Sequence, residues 1–444
     1  MSDLAPTRVP MQCTVPFWVP AKDPKADSMA CLSANGGYGG LQMDVNIGAR
    51  RPDINSTAWR AYQLGEVKRL IDSGCTTFQQ DDPVQNASTL PKGCYAPDSV
   101  SKFRTYLSKK YSPAKLSDMG VTNVTAFDVR KATSTPISNA YSEFQRASVE
   151  EYHDWLHAAA AAYLKTKNPG AKLIFSGNLT NEQLPDEARY MKHFNFMVSE
   201  LYVDRDNAGQ EFRRVGKAYS ARPTVNAVTM ASDDVWLNQR SIASSYAFGM
   251  VPIAPWDVYV SSTAGRFNGK PSDFTNLFGI VRNNPGLFDD YASYTDETGR
   301  LVSVIPIEGV VSKSSTQAQI AGAIAKMKAA TPNMENAPKK IARGRFGLVP
   351  TNIKIAAVTN YATPNYLATV RLNATNPQKK VVHVVSWTAT APTLSVLLKR
   401  NDFPVPPTRV LTDRSPTAKT VTPIITGDYY GYAVGNAMWA ILAP

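Results

Sequence analysis

The sequence predicts an α/β protein: a TIM-type (β/α)8 barrel followed by a C-terminal antiparallel β-sandwich. Three observations predict it. Over the first two-thirds of the chain, short apolar runs alternate with amphipathic stretches, the pattern of parallel strands joined by helices. Within that region one long helical pattern gives way almost at once to a strand, which is a single αβ step of such a fold. After about Asp290 the texture changes to short alternating or β-branched runs separated by Pro- and Asn-rich turns, which suggests a small sandwich. The expected division is residues 1–291 for the barrel and 292–444 for the β-rich domain.

Taken in order, the candidate strands of the first region are Gln12–Trp18, Gly40–Asn46, Cys75–Gln80, Lys172–Ser176, Phe194–Leu201, Thr224–Thr229 and Met250–Trp256. Helical patterns lie between them at Ala58–Ser73, Ser99–Tyr111, Ala140–Lys167, Pro185–Lys192, Val235–Ala247 and Ser272–Arg282. In Ala140–Lys167 the residues Phe144, Ala147, Val149, Tyr152, Leu156, Ala159, Ala160 and Leu164 recur near helical spacing. Asn168-Pro169-Gly170 stops that helix, because Pro and Gly oppose continuation. An open doubly wound sheet shows the same αβ step, so the step alone does not decide closure. Seven strands are visible; an eighth is expected before Gln12, within Ala21–Gly40, or outside this chain. In the second region the candidate elements are a helix at Thr316–Lys328 and strands at Lys354–Val358, Tyr366–Leu372, Val381–Trp387, Leu394–Leu398, Thr420–Ile425 and Ala437–Leu442.

Bulk properties bound the function. The 444 residues leave room for one barrel of about 250 residues and one smaller domain. The formal charge of +12 is scattered, with no segment denser than pairs such as Lys109-Lys110, Lys339-Lys340 and Lys379-Lys380. Nucleic-acid binders concentrate their charge on one face or helix, so no nucleic-acid partner is expected; a solvated surface, or attraction of an acidic polysaccharide, fits better. No apolar run approaches the ~20 residues of a membrane span. The N-terminus lacks the basic-then-apolar order of a signal peptide. The expected location is secreted or periplasmic, with the leader absent from this chain, and a cytoplasmic one stays open. Cys13, Cys31, Cys75 and Cys94 contain no CxxC, so no structural zinc motif is present; disulfides and buried free thiols both remain open. A homo-oligomer is allowed.

In a parallel barrel, reactive groups sit just beyond the C-terminal ends of strands. Thr77-Phe78-Gln79-Gln80-Asp81-Asp82-Pro83 ends a strand in two carboxylates before Pro83 turns the chain. Glycoside cleavage needs one carboxyl group to protonate the leaving oxygen and another to attack or to activate water. The plainer alternative is a turn or capping Asp pair. Glu200 interrupts the apolar strand Phe194–Leu201, and a charge there is costly unless paired or functional. Trp256, Asp257 and Tyr259 form an aromatic-flanked acid suited to a sugar face, although most such rings are core. Trp18, Asp44, Asn46, Gln80, Asn178 and Tyr202 also lie at or near strand ends and complete the expected substrate-binding set. His153 and His157, in HDWLH, have metal-ligand spacing but lack the metalloprotease Glu and read as a solvated or packed pair. No GxSxG elbow, P-loop or GxGxxG is present, and no cofactor or metal is expected.

These residues carry a resemblance. FQQDDP, then GCYAPDSVSKFRTYLSKKYS, then FQRASVEEYHDWLHAAAAAYLKTKNPGAKLIFSGN, and finally PWDVYVSSTAGRFNGKPSDFTNLFGIVRNN are similar to β-galactosidases of the family-42 type and their barrel relatives. The likeness covers roughly Ala58–Asp290. It implies a glycoside hydrolase in which the fourth strand ends in the acid/base carboxylate. Phe103-Arg104-Thr105-Tyr106-Leu107 with Lys110-Tyr111 match the helix that follows, and Asn178 matches a strand-ending Asn. Two departures stand out. The usual Asn-Glu of the fourth strand is Gln80-Asp81-Asp82 here, and Thr224–Met230 runs into Ala231-Ser232-Asp233-Asp234 without the nucleophilic Glu. Of the Cys cluster that binds zinc in that family only Cys94 remains, which implies no metal. Carboxylates after the fourth and sixth strands, as in other barrel glycosidases, make Asp81, Asp82 and Glu200 the expected catalytic set on an oligo- or polysaccharide. A barrel that binds polysaccharide without cleaving it, in an adhesin or phage receptor-binding protein, is the alternative.

Overall fold

The computed structural model describes residues 12–20, 22–38, 49–81, 94–132, 134–179, 189–202, 212–213, 224–229, 234–252, 271–291, 293–298, 300–330, 365–388 and 393–444. The chain divides into two compact units, Met1–Val198 and Ser199–Pro444. The expected strands Gly40–Asn46 and Lys354–Val358 lie outside the described residues, as does most of the expected helix Pro185–Lys192.

The first unit contains β1 (Gln12–Val15), β2 (Val19–Pro20), α1 (Ala26–Met29), β3 (Ala49–Arg50), α2 (Thr57–Asp72), β4 (Thr77–Gln80), α3 (Pro97–Lys110), α4 (Pro113–Asp118), α5 (Thr135–Lys167) and β5 (Ile174–Leu179), and it ends inside β6 (Phe196–Tyr202). Its main strands run in the order β1-β4-β5-β6, with β1–β4 and β4–β5 parallel. The register pairs Val15 with Gln80 and Gln80 with Gly177, so β1 and β4 end level with each other while β5 runs two residues further. Local chemistry explains the helices. The Ser56 hydroxyl accepts the Trp59 amide at 3.2 Å to start α2, and Gly74, at φ +98°, takes the left-handed conformation just past its end. Pro sits in the first turn of α3, α4 and α5, where its missing N–H costs nothing. Helix α5 begins five residues earlier than the periodicity suggests, at Thr135, and ends at Lys167.

Phe103 and Leu107 of the FRTYL stretch are buried with Leu116, Val121, Tyr141 and Phe144 in a cluster of α3, α4 and α5. The rings of Phe103 and Tyr141 meet edge-on at 4.8 Å. The intervening Arg104 donates to the Phe127 carbonyl at 2.7 Å. That motif is therefore a packing unit. Cys13 of β1 is joined by a disulfide to Cys75, just before β4, while Cys31 and Cys94 are free and buried.

The second unit begins with β7 (Thr224–Thr229), α6 (Val235–Ala247) and β8 (Met250–Pro252), in which β7 and β8 are parallel, and continues through α7 (Pro271–Asn283) and α8 (Gly286–Asp289). Antiparallel strands follow from Ser293: β9 (Ser293–Asp296), β10 (Val304–Glu308), then α9 (Gln317–Ala330), β11 (Tyr366–Leu372), β12 (Lys380–Ser386), β13 (Thr393–Lys399), β14 (Arg409–Thr412), β15 (Ser415–Thr420), β16 (Ile424–Thr426), β17 (Tyr429–Asn436) and β18 (Trp439–Ala443). They form two sheets, β10-β13-β17-β16 and β15-β14-β18-β12-β11-β9, that share one apolar core containing Val304, Val382, Val384, Val396, Leu398 and Leu442. The expected single strand Thr420–Ile425 is instead the end of β15 and the start of β16, which belong to different sheets.

The six-stranded sheet is covered on both faces, which explains why β12 reads as an almost continuous apolar run. Val382 and Val384 face the other sheet. On the opposite face, His383 lies against Phe288 and Trp439, and Thr369 donates to the Ala247 carbonyl at 2.8 Å. Arg371 donates to the carbonyls of Tyr291, Tyr246 and Phe288 at 2.5, 3.0 and 3.2 Å, satisfying backbone groups around the ends of α6 and α8. The unit boundary at Val198/Ser199 follows from this packing: the last helices of the α/β region belong with the antiparallel sheets.

Candidate functional site

The site is built from the end of β4. Side chains alternate across a strand, and neighbours in a parallel ladder point the same way. Phe78 is stacked on Phe175 of β5, with ring centroids 5.4 Å apart. Phe175 in turn stacks on His157 of α5 at 3.8 Å. Gln80, two residues after Phe78, shares this helix-facing side: its Oε1 lies 2.8 Å from His157 Nε2, and the residue is buried. Gln80 is thus tied to α5 through its amide oxygen. Strand register decides this, because an even-numbered offset from buried Phe78 turns Gln80 to the helices.

Asp81 takes the other course. Its Oδ1 accepts a 2.8 Å hydrogen bond from Nδ2 of Asn178, one residue before the end of β5 and on the side opposite Phe175. The Asp and Asn therefore meet near the C-terminal ends of two adjacent parallel strands. Asp81 is half-buried and also borders a small polar recess with Phe17, Gln63, Gln80, Tyr152 and His153. The recess is braced from behind: Trp59 Nε1 donates to the Tyr152 hydroxyl at 3.3 Å, that hydroxyl donates to Gln63, and Gln63 Nε2 donates to the Pro16 carbonyl at 2.8 Å. Beyond β1, Trp18 is half-buried, with the Phe17 ring 5.1 Å away and the Arg51 guanidinium 5.7 Å over its indole.

The remaining expected residues divide by what is described. Glu200 and Tyr202 lie on the backbone of β6. Asp82, Asp44, Asn46, Trp256, Asp257 and Tyr259 lie outside the described residues. The HDWLH pair is packed: His153 is fully buried, and burial pushes the His157 imidazole down to about 4, with His193 beside it adding to the effect. Among the described residues no group of three or more His, Cys, Asp or Glu side chains is placed to hold a metal, and no helix is long and apolar enough to cross a membrane.

Two polar features escape the sequence reading. One is the Gln80–His157 bond, whose only sequence signal is the helix register of α5. The other is Asp53, fully buried, whose carboxylate accepts from the Ser99 hydroxyl at 2.7 Å and the Asn55 amide at 2.9 Å. Burial raises the Asp53 pKa against the lowering effect of these bonds. Asn55 Nδ2 also reaches the Ser99 hydroxyl at 3.0 Å, so the trio locks the turn before α2 to the first turn of α3. Asp-x-Asn before a Ser-capped helix is its local signature.

No protein-family model matches the chain. An alpha-agarase of Thalassotalea agarivorans is 20% identical over 282 residues, covering 54% of this chain and 18% of the agarase. A second alpha-agarase, from Alteromonas agarilytica, is 22% identical over 276 residues, covering 54% and 19%. The chain resembles the glycoside hydrolases. It spans less than a fifth of the length of these two curated relatives. Among solved structures, a beta-galactosidase from Bacillus circulans sp. alkalophilus has a TM-score of 0.44 at 13% identity, covering 61% of this chain and 46% of that one.

Proposed function

We propose that this chain is a glycoside hydrolase that cleaves an oligo- or polysaccharide, built on a closed (β/α)8 barrel with a C-terminal β-sandwich. The observation that carries the reading is the Asp81–Asn178 pair at the joint end of β4 and β5. In this reading Asp81 is the acid/base: protonated, it hands its proton to the leaving glycosidic oxygen, and as a carboxylate it takes a proton from water. The Asn178 amide fixes the carboxyl's rotation so that one oxygen faces the reacting bond. Glu200 is assigned the second carboxylate, as nucleophile or as base for water. Asp82 supports Asp81 through the backbone turn or exchanges roles with it. Trp18, Trp256 and Tyr259 supply ring faces for sugar C–H groups, and Asp44, Asn46, Tyr202 and Asp257 bond hydroxyls. A secreted or periplasmic setting fits a polymeric substrate, and the net charge of +12 suits an acidic one.

The names of the two curated relatives make agar polysaccharides the first substrates to try. The test is reducing-end release from a panel of agarose, charged galactans and β-galactosides by the wild type and by an Asp81→Asn/Asp82→Asn/Glu200→Gln variant. Release by the wild type that vanishes in the variant supports the reading. Binding of a glycan by both proteins with release by neither favours the second reading, a barrel that only binds. One observation favours that second reading: Gln80, at the position of the family's usual Asn, is engaged by His157.

A further inference from the structure

Cys31 and Cys94 are free and buried, yet they are neighbours. With Ala96 and Leu32 they form one small apolar cluster, in which the Cys31 thiol donates to the Leu32 carbonyl at 4.0 Å. The backbone on each side is already fixed. The Cys31 amide donates to the Arg51 carbonyl at 2.7 Å, and the Tyr95 amide donates to the Leu32 carbonyl at 2.7 Å. The Tyr141 hydroxyl donates to the Cys94 carbonyl. Two segments thus run side by side, tied by a backbone hydrogen bond one residue beyond each cysteine. A disulfide needs Cα atoms within about 4.4–6.8 Å and side chains that face each other. The two side chains share one buried cluster, and the bond one residue further on keeps the chains close.

We infer that Cys31 and Cys94 are the site of a second disulfide, and that its redox state is set while the chain folds and kept afterwards. The timing follows from reactivity. The attacking species in thiol–disulfide exchange is a thiolate. In the folded protein Cys31 is 3% exposed and Cys94 is 0% exposed. Burial pushes the Cys94 thiol far up, and the neighbouring Cys31 thiol and Asp53 charge push the same way. Neither a thiolate nor an external disulfide therefore meets the other in the finished fold. In the unfolded chain both thiols are exposed and titrate near an ordinary value of about 8.5. One thiolate then attacks an external disulfide such as oxidised glutathione, forming a mixed disulfide and releasing one glutathione thiolate. The second cysteine thiolate attacks the mixed disulfide at the protein sulfur, closing Cys31–Cys94 and releasing the other glutathione. The cysteines lose two electrons and two protons in total, and the glutathione disulfide gains them. A chain folded among disulfide oxidants carries the bond, whereas one folded in a reducing compartment carries two inert thiols.

The test starts from reduced, denatured protein refolded with a reduced/oxidised glutathione couple or with reductant alone. Each sample is then denatured, alkylated with N-ethylmaleimide and weighed, with peptide mapping of Cys31 and Cys94. Oxidative refolding is expected to leave both residues unlabelled and linked to each other, and to raise the melting midpoint by roughly 5 °C above that of a Cys31→Ser/Cys94→Ser variant refolded the same way. Protein folded with reductant and then given oxidised glutathione in its native state is expected to keep label on both residues after hours. Label on Cys31 and Cys94 after oxidative refolding would overturn the bond, and rapid loss of label from the native dithiol would overturn the timing. Because the wild-type map reads the pair directly, the outcome stands even if the serine variant fails to fold.

Discussion

His157 and His383 occupy similar surroundings and differ in what they hold. Both pack against aromatic rings, half-buried His157 against Phe175 and Phe194, buried His383 against Phe288 and Trp439. His157 bonds Gln80, one residue before Asp81, and so ties α5 to the end of β4. His383 makes no hydrogen bond from either ring nitrogen among the described residues. In the first unit, then, a half-buried polar ring holds a strand end in register. In the second, the imidazole lies between aromatic rings and serves as a flat neutral filler. Polar burial that is partnered marks where a protein needs a fixed geometry, because an unpartnered group costs stability and fixes nothing.

The largest stability effect is expected at Arg371, the second unit's fully engaged polar group. Arg371→Ala strands three carbonyls and removes a buried cation, and should cost about 3 kcal/mol or more by urea denaturation. A loss below about 1 kcal/mol would show that water replaces the guanidinium freely.

Next comes the histidine pair itself. His157→Leu leaves the Gln80 carbonyl oxygen buried without its partner and should cost about 2 kcal/mol. It should also slow any glycan hydrolysis by about tenfold, as the strand end before Asp81 loosens. His383→Leu breaks no hydrogen bond among the described residues and should stay within about 1 kcal/mol of wild type. Equal losses from the two substitutions would erase the distinction.

The pH dependence follows with its sign. His157 is held down to about 4 by burial, reinforced by His193 and opposed by Asp154. His383 is pushed well below its ordinary value by burial, with Arg371 adding to the effect. In the unfolded chain both titrate near about 6.5. Both folded values are depressed, so the folded form binds fewer protons. Stability is therefore full above about pH 6.5 and falls as the pH drops from there towards 4. Melting midpoints at pH 7 and pH 5 should differ in the wild type, and the difference should shrink in the His157→Leu/His383→Leu double variant. An unchanged difference would place the acid sensitivity elsewhere. The smallest effect is expected at Ser56→Ala, which removes the cap of α2 and should cost about 1 kcal/mol.

The contrast also explains what the sequence makes legible. Thr224–Thr229, Val235–Ala247 and Tyr366–Leu372 have the bounds that their patterns predict, helped for α6 by the Asp234 side chain accepting the Leu237 amide at 3.1 Å. Strands β15 and β17 escape pattern reading. Ser415–Thr420 is half-exposed at a sheet edge and carries Pro416, which an edge tolerates. Tyr429–Asn436 contains Gly431 and Gly435; a Cβ at Gly431 would lie 2.9 Å from Val311, so close packing rather than β propensity sets that residue. At the site, Asp81 is legible because an acid ends an apolar run. Its pairing with Asn178, and the turning of Gln80 to His157, depend on strand register and on the angular position of α5. Neither is encoded in any short window of sequence.

In the proposed function Asp81 performs the chemistry at the strand end where it meets Asn178. Its most direct test is the hydrolysis rate of Asp81→Asn on a glycan that the wild type cleaves, measured beside its melting temperature. Asn keeps the size and shape while removing the ionisable group. The expected result is a fall in rate of about a thousandfold or more with a melting temperature within about 2 °C of wild type. Near-normal turnover in Asp81→Asn, and likewise in Asp82→Asn, would contradict it and move the search to Asp257 and Asp44.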